Sequence, residues 1–335
     1  MNPGRKKEIK AGMLRVFFAG SPRFAVPALE KAAAAHRIAG ILTAPPSPKG
    51  RSSVPVPSEV EEAAIQMQRE GKIPAGVPVL HPEKITDEVR AEIAALHPDV
   101  LLCFAYGKIF SGKTLSLFPK GAFNIHPSLL PRWRGPSPVP AAILAQDAET
   151  GVSLQRISRE MDAGNLLAVT RIPLTGTETT GALLDRLALL GAELVPGVLD
   201  GAEQGTLQET PQTGEPTFSR LLRKEDGEID WSRPAAEINA KIRAFYPWPG
   251  AYTRLPDGTL LFLREAEVLR IPEQHVQDPG AAPGTVLETK RGLWIQTGDG
   301  VLSVLRLQRQ TKKETDWRAF LNGNRDLLSR KLGDS

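Results

Sequence analysis

Residues 14–201 alternate short apolar runs with helical patterns, and this alternation limits the possible folds more than any other feature of the sequence. Apolar runs that predict strands lie at residues 14–20, 37–44, 77–80, 99–105 and 121–126. Patterns that predict helices lie between them, at residues 24–35, 58–70 and 87–96. Such an alternation predicts an α/β, Rossmann-like and mainly parallel sheet with both faces covered. In these sheets, ligands bind at the carboxyl ends of the strands.

The pattern changes after a long helical stretch at residues 181–201. The following segment is polar and rich in Thr, Gly and Pro, which predicts a linker. A helix is predicted over residues 232–245, and the short β-like runs beyond it favour a small OB-like β-barrel. The expected organisation is a basic disordered leader at 1–13, a first domain at 14–202, a linker at 203–219 and a second domain at 220–335.

Composition points to a reducing compartment. Cys103 is the single cysteine, and it lies in an apolar run, so a disulfide framework is excluded. The sequence has no run of about 18 apolar residues, and its N-terminus lacks the apolar region of a secretory signal. We therefore expect a cytoplasmic protein, and we expect it to be a monomer.

The charge is mildly basic and unevenly distributed. A formal net charge of +4 and a pI near 9.2 permit a polyanionic partner without requiring one. Between Lys290 and Lys331 there are ten Lys or Arg residues against four Asp or Glu residues. This local excess favours a nucleic-acid contact in the C-terminal part of the chain.

The stretch FNIHPSLLPRWRG, at residues 123–135, contains the candidate reactive side chains. Asn124 and His126 are two apart on a predicted strand, so they share a face. An amide beside an imidazole can hold a carbonyl oxygen as it becomes an oxyanion, and the imidazole can carry a proton. Asp162, in a turn next to Gly164, is the candidate carboxylate partner. Taken alone, such a spacing is more often a loop cap and a turn aspartate than a catalytic group.

Nucleotide cofactors have no support in the sequence. The turn after the first strand reads FAGSPRFA and lacks the G-x-G-x-x-G fingerprint. A Walker A motif is also missing. One cysteine and scattered histidines do not make a zinc site, so no metal is expected.

Two stretches resemble the formyltransferases that take their formyl group from 10-formyltetrahydrofolate. They are FNIHPSLLPRWRGPSP and DAETGVSLQRISREMDAGNLL. Within this family, the resemblance is greatest to the branch acting on methionyl-tRNA, and it extends over about residues 14 to 325. Three further stretches contribute to it: FFAGSPRFAVPALE, PPSPKGRSSVPVPSEVEEAA and KEDGEIDWSRPAAEINAKIRAFYPWPGAYT. The resemblance implies formyl transfer to the α-amine of initiator methionyl-tRNA, for translation initiation.

The resemblance also assigns roles to residues. Asn124 and protonated His126 would stabilise the oxyanion, and Asp162 would support the imidazole and help to move protons. The folate would lie between two loops, with the contact residues Phe104, Ala105, Tyr106, Gly107, Ser128, Leu129, Leu130 and Pro131. The tRNA would contact Lys49, Arg51, Arg306, Arg309, Lys312 and Lys313.

The chain departs from the family pattern at three places. Arg23 stands where an acidic residue is usual, and Pro127 replaces a common glycine. The loop around Arg51 is slightly shorter and less basic than is typical. These differences concern loop contacts rather than the reaction.

Two other functions fit parts of the sequence. A sibling enzyme that formylates a small amine, such as glycinamide ribonucleotide or an amino sugar nucleotide, would share Asn124, His126 and Asp162. It would not need the 46–57 insertion or the basic domain after residue 220. A non-catalytic tRNA-binding protein is the alternative from another class, and the presence of all three reactive residue types counts against it.

Overall fold

The computed structural model describes residues 12–48, 53–269, 280–287 and 291–333, which group into two compact units. The N-terminal unit runs to Gly135 and also contains Gly151–Ile172 and Leu184–Phe218. The C-terminal unit contains Pro136–Thr150, Pro173–Leu183 and the chain from Ser219 onward. The exact limits of the leader, the two domains and the linker stay predictions from the sequence.

A seven-stranded sheet is the centre of the N-terminal unit. In chain order, the strands of this part of the chain are β1 (Arg15–Gly20), β2 (Arg37–Leu42), β3 (Ser47–Pro48), β4 (Pro55–Val56), β5 (Val79–Leu80), β6 (Val100–Phe104), β7 (Gly121–His126), β8 (Glu149–Arg156) and β9 (Leu166–Pro173). The sheet order is β5-β2-β1-β6-β7-β8-β9, while β3 and β4 pair separately. Pairing is parallel from β5 to β7, and β8 runs antiparallel to β7.

Helices alternate with these strands along the chain, and several of them begin at capping side chains. They are α1 (Val26–Ala35), α2 (Glu59–Arg69), α3 (Asp87–Ala95), α4 (Gly112–Leu115), α5 (Pro138–Leu144) and α6 (Thr180–Gln204). Ser58 accepts the backbone N–H of Glu61 at the start of α2, as the sequence predicts. Strands β1 and β6 are almost entirely buried, in keeping with a parallel sheet covered on both faces.

The C-terminal unit is a strongly curled antiparallel sheet that forms a half-barrel. Its elements are α7 (Ala235–Ala244), β10 (Ala251–Arg254), β11 (Leu260–Leu269), β12 (Val286–Leu287), β13 (Leu293–Gln296), β14 (Val301–Arg309), β15 (Thr315–Asp316) and α8 (Trp317–Asn322). The strand order is β10-β11-β14-β13-β12, and β15 pairs with β14. Trp231 lies in its core and donates its indole N–H to Thr253 Oγ1 over 3.0 Å.

These two architectures confirm the predicted fold class. The alternating part of the sequence forms the mainly parallel sheet, and the part rich in short β-like runs forms the OB-like sheet. Among the helices that the structure describes, none is long and apolar enough to cross a membrane.

Helix α6 offers a matched test of core packing in the N-terminal unit. Leu187 is fully buried, whereas Leu189 on the same helix is 59% exposed. We expect Leu187→Ala to lower the free energy of unfolding by about 2–5 kcal/mol, because it removes buried apolar atoms and leaves a cavity. Leu189→Ala should stay within about 0.5 kcal/mol of the parent protein. Guanidinium denaturation measures both, and equal losses would contradict the described burial.

Candidate active site

The carboxyl end of β7 carries two polar side chains on one face. Asn124 pairs in register with Cys103 of β6 on one side and with Gln155 of β8 on the other. His126 is the last residue of β7 and pairs with Ser153 of β8. The side chains of β7 alternate across the sheet, so Asn124 and His126 point to the same side, as the sequence predicts.

His126 is enclosed, and both of its ring nitrogens face oxygen atoms. Its side chain is 6% exposed. Nε2 lies 2.9 Å from the carbonyl oxygen of Trp133, and Nδ1 lies 3.6 Å from Oδ1 of Asp162. A carbonyl and a carboxylate can only accept hydrogen bonds, so these surroundings are complementary to an imidazole that carries a proton on each nitrogen.

Asp162 lies in the turn after β8, with a left-handed backbone φ of 52°. Its Oδ2 accepts the backbone N–H of Gly135 at 2.8 Å, and its Oδ1 accepts Nε2–H of Gln155 at 2.9 Å. Asn124 Nδ2 is 3.5 Å from the same Oδ1 that faces His126. The amide of Asn124 and the ring of His126 therefore converge on one oxygen atom, Oδ1 of Asp162.

The turn that carries Asp162 lies close against the end of β8. Backbone N–H of Arg156 donates to the carbonyl of Asn165 over 2.9 Å. A Cβ on Gly164 would lie only 1.7 Å from the carbonyl oxygen of Arg156. Any side chain at that position would displace the turn, so Gly164 is required for the close approach rather than for a left-handed φ.

Two serine hydroxyls hold the loop at residues 127–135: Ser153 ties it to β8, and Ser128 bonds within the loop. Ser153 Oγ accepts the backbone N–H of Leu130 and donates to the carbonyl of Ser128, at 3.1 and 2.8 Å. Ser128 Oγ donates in turn to the carbonyl of Arg132 over 2.6 Å. These bonds fix the loop whose Trp133 carbonyl faces His126.

The predicted folate-contact residues divide by burial. The partly or fully exposed ones are Ala105, Gly107, Leu129 and Pro131. The buried ones are Phe104, Tyr106, Ser128 and Leu130. The first group can present atoms to a ligand, whereas the second group supports the two loops from within.

Cys103 and Tyr106 are neutral groups in this region. Burial raises the pKa of the Cys103 thiol to about 12, and the nearby Asp162 carboxylate acts in the same direction. Burial also raises the pKa of the Tyr106 phenol to about 12. At neutral pH the thiol is therefore protonated, which excludes Cys103 as a ready nucleophile.

The predicted tRNA-contact residues are only partly described. Lys49 and Arg51 lie outside the described residues. In the C-terminal unit, the guanidinium groups of Arg306 and Arg309 form ion pairs with Glu314 and Asp257. The other two predicted contact residues of this unit, Lys312 and Lys313, are exposed.

Arg23, which departs from the family pattern, has a local partner. Its Nη2 donates to both carboxylate oxygens of Asp185 on α6, at 2.7 and 2.8 Å. Both side chains are well exposed, so this pair adds little to stability.

Sequence reasoning missed three groups that contact Asp162. They are the side chain of Gln155, the side chain of Gln212 and the backbone N–H of Gly135. The sequence around Gln155 contained a signal, because this polar side chain follows the apolar and small residues 151–154. The sequence around Gln212 contained no such signal, since this residue lies in the segment predicted to be a linker.

Within the described ranges, one group of side chains has the composition of a metal site. His36, Asp200 and Glu203 place ligand atoms within 4.8 Å of one another. However, His36 Nδ1 accepts the backbone N–H of Leu14 at 3.3 Å, so the proton of the neutral ring is on Nε2. Nε2 is the nitrogen that faces Asp200, so a metal ion at this place would have to displace its proton. These surroundings favour a proton over a metal ion on that nitrogen.

Comparisons with known proteins identify the family of the chain. The chain matches the family Formyl transferase over residues 14–199 and the family Formyl transferase, C-terminal domain, over residues 221–325. It is 51% identical over 323 residues to a methionyl-tRNA formyltransferase of Treponema pallidum (strain Nichols), covering 96% of this chain and 100% of the relative. A relative of the same name from Treponema denticola is 44% identical over 325 residues, covering 94% and 98%.

A solved structure extends the comparison to the fold. The N-formyltransferase from Helicobacter canadensis has a TM-score of 0.61 at 19% identity, covering 87% of this chain and 99% of that one. Both domain matches and the identity over nearly the full length of the relatives lead to one conclusion: this chain belongs to the formyl transferase family.

Proposed function

We propose that this chain transfers a formyl group from 10-formyltetrahydrofolate to the α-amine of initiator methionyl-tRNA, giving N-formylmethionyl-tRNA for translation initiation. The observation that carries the chemistry is that Asn124 Nδ2 and His126 Nδ1 lie 3.5 and 3.6 Å from the same carboxylate oxygen of Asp162, so the three reactive side chains meet at one place. The choice of acceptor is supported by relatives named methionyl-tRNA formyltransferase that the chain matches over nearly their full length.

The proposed reaction is an acyl transfer between two nitrogens. The amine attacks the formyl carbon, a new C–N bond forms, and the carbonyl oxygen takes up the negative charge. Asn124 donates to this oxyanion together with protonated His126, in the manner of an oxyanion hole. Collapse breaks the bond between the formyl carbon and the folate nitrogen. The proton lost by the amine ends on that nitrogen.

Asp162 has two tasks in this proposal. Its carboxylate supports the charge of the imidazole, since Oδ1 is 3.6 Å from Nδ1 of His126. It also helps to move the amine proton. Distances of 3.5 and 3.6 Å are long for hydrogen bonds, and such contacts often shorten when a substrate is bound.

The folate is proposed to lie between the loop after β6 and the loop after β7. Ala105, Gly107, Leu129 and Pro131 face it, because these residues have exposed surface. The buried set, Phe104, Tyr106, Ser128 and Leu130, shapes the same two loops from behind. This position agrees with the rule that ligands bind at the carboxyl ends of parallel strands.

The tRNA is proposed to contact two basic regions. Lys49 and Arg51 act on the acceptor end, and Arg306, Arg309, Lys312 and Lys313 follow the phosphates. Such contacts position a nucleic acid without specifying its sequence. We further propose that the protein acts in the cytoplasm, because its acceptor is a substrate of translation. We also propose that it is a monomer.

A paired formylation assay tests the reaction and the acceptor together. Purified protein with 10-formyltetrahydrofolate should formylate methionyl-tRNA, measured as acid-precipitable formyl label. Glycinamide ribonucleotide and an amino sugar nucleotide, offered under the same conditions, should stay unlabelled. Transfer to a small amine with none to the tRNA would replace the proposed function by that of a sibling enzyme. A tRNA that binds but is never formylated would favour the non-catalytic alternative.

Replacing the imidazole tests the proposed chemistry. We expect His126→Asn to lower kcat by about 10²–10³, because a charged donor to the oxyanion is lost. His97→Asn is the matched control, since His97 is exposed and precedes β6 at the other end of that strand. Asparagine also tolerates its left-handed φ of 46°. Circular dichroism should show both variants folded, and a near-normal rate for His126→Asn would mean that the reactive site lies elsewhere.

A further inference from the structure

Gln212 links three segments around the carboxylate of Asp162. Its Nε2 donates to the carbonyl oxygens of Asp162 and Gly164, each at 2.8 Å, and lies 3.3 Å from Oε1 of Gln155. Its Oε1 accepts from Nε and Nη2 of Arg134, at 3.2 and 2.8 Å. The segment that carries Gln212 follows α6 and lies within the N-terminal unit.

The direction of these hydrogen bonds is fixed by Arg134. A guanidinium can only donate, so the oxygen of the Gln212 amide must face it. The nitrogen of the same amide then faces the carbonyls of Asp162 and Gly164 at 2.8 Å and Oε1 of Gln155 at 3.3 Å. The amide of Gln155 has the matching orientation, because its nitrogen donates over 2.9 Å to Oδ1 of Asp162, which can only accept. Turning either amide around would place donor against donor or oxygen against oxygen.

We propose that Arg134, Gln212 and Gln155 form a hydrogen-bond relay of fixed direction that holds the Asp162 carboxylate in place for His126 and Asn124. Gln212 and Gln155 are then positioning residues. The proposal rests on the proposed function for its assay, but the relay itself follows from the contacts alone.

The orientation of the amides in the relay is important because Gln155 and Arg134 are buried. Gln155 is 1% exposed and Arg134 is 9% exposed, so neither can exchange its partner freely for water. An oxygen turned toward the largely buried carboxylate would repel it, and an unsatisfied buried group is costly. Loss of the amide of Gln212 should therefore reach Asp162 in two ways, through the turn carbonyls that this amide binds and through Gln155.

The same segment also holds the loop whose carbonyl faces His126. Thr217 Oγ1 accepts the backbone N–H of Trp133 at 2.9 Å, and the carbonyl of Thr217 accepts that of Arg134 at 2.9 Å. The backbone N–H of Thr217 donates to the carbonyl of Pro131 over 3.2 Å. The chain after α6 thus supports both sides of the site, with Gln212 at Asp162 and Thr217 at Trp133.

Gln212→Glu removes the N–H donors of this side chain and preserves the oxygen that accepts from Arg134. A carboxylate still accepts from Arg134, so the side chain keeps that partner and its shape. It cannot donate to Gln155 or to the turn that carries Asp162. We expect kcat for formylation to fall by about 10- to 100-fold, as for other groups that orient a reactive residue. The KM values for folate and tRNA should change by less than about threefold, because uniform binding is not affected.

Gln208→Glu is the matched control in the same segment. Gln208 is exposed, and its Nε2 donates to the carbonyl of Thr206 at 3.2 Å, away from Asp162. The substitution introduces the same charge a few residues earlier in the chain. It should leave kcat and both KM values at the parent level. Thermal unfolding of each variant separates an altered rate from an altered fold.

A double variant tests whether the effect passes through Gln155. Gln155→Met removes the amide that would rotate and should by itself lower kcat by about 10-fold. If the relay operates, Gln155→Met combined with Gln212→Glu lowers kcat by clearly less than the product of the two single losses. Losses that multiply would mean that the two residues act separately, and they would overturn the relay.

The outcomes of the two proposals are distinguishable. A parent protein that does not formylate methionyl-tRNA counts against the proposed function, and the variants are then compared with whichever amine acceptor the parent uses. A parent protein that is active, with Gln212→Glu at the parent kcat, overturns the relay alone. If Gln212→Glu does not fold, Gln155→Met serves as the test. An unchanged kcat in Gln155→Met would also overturn the relay.

Discussion

The carboxylate of Asp162 is the point on which the geometry of the site depends. It receives a backbone N–H from Gly135 and an amide N–H from Gln155, and it faces His126 and Asn124. A largely buried carboxylate requires donors, and these come from Gly135 at the end of the 127–135 loop and from Gln155 on β8. The position of the imidazole, the end of the 127–135 loop and the turn after β8 are therefore coupled through one side chain.

Much of this arrangement could be predicted from the sequence, because it follows from periodicity. The alternation of apolar runs and helices predicted the parallel sheet, and the two-residue spacing of Asn124 and His126 predicted their common face. The antiparallel β8 brings Asp162 back to them, and no local pattern contained that reversal. The turn context made Asp162 a candidate partner, but only the resemblance to a known family raised this candidate above an ordinary turn aspartate.

Side-chain hydrogen bonds across long distances in the sequence were the part that could not be predicted. Gln212 lies in a polar stretch whose composition is typical of a linker, and a linker needs no specific partner. Its contacts depend on where Arg134 and the Asp162 turn lie in three dimensions. Charge counts have a similar limit. Arg306 and Arg309 add to the basic excess of the sequence, yet each is paired with a carboxylate of its own unit.

The attachment of residues 206–218 to the N-terminal unit has a consequence for how such a protein can be divided. The hydrophobic core of that unit is complete by the end of α6. From composition alone, a fragment that ends at residue 202 would therefore be expected to keep its structure. A fragment ending there would nevertheless lack Gln212 and Thr217, and with them the bonds at Asp162 and Trp133. An exchange of C-terminal domains between relatives would preserve the catalytic geometry only if the junction fell after Phe218, where the structure divides its two units.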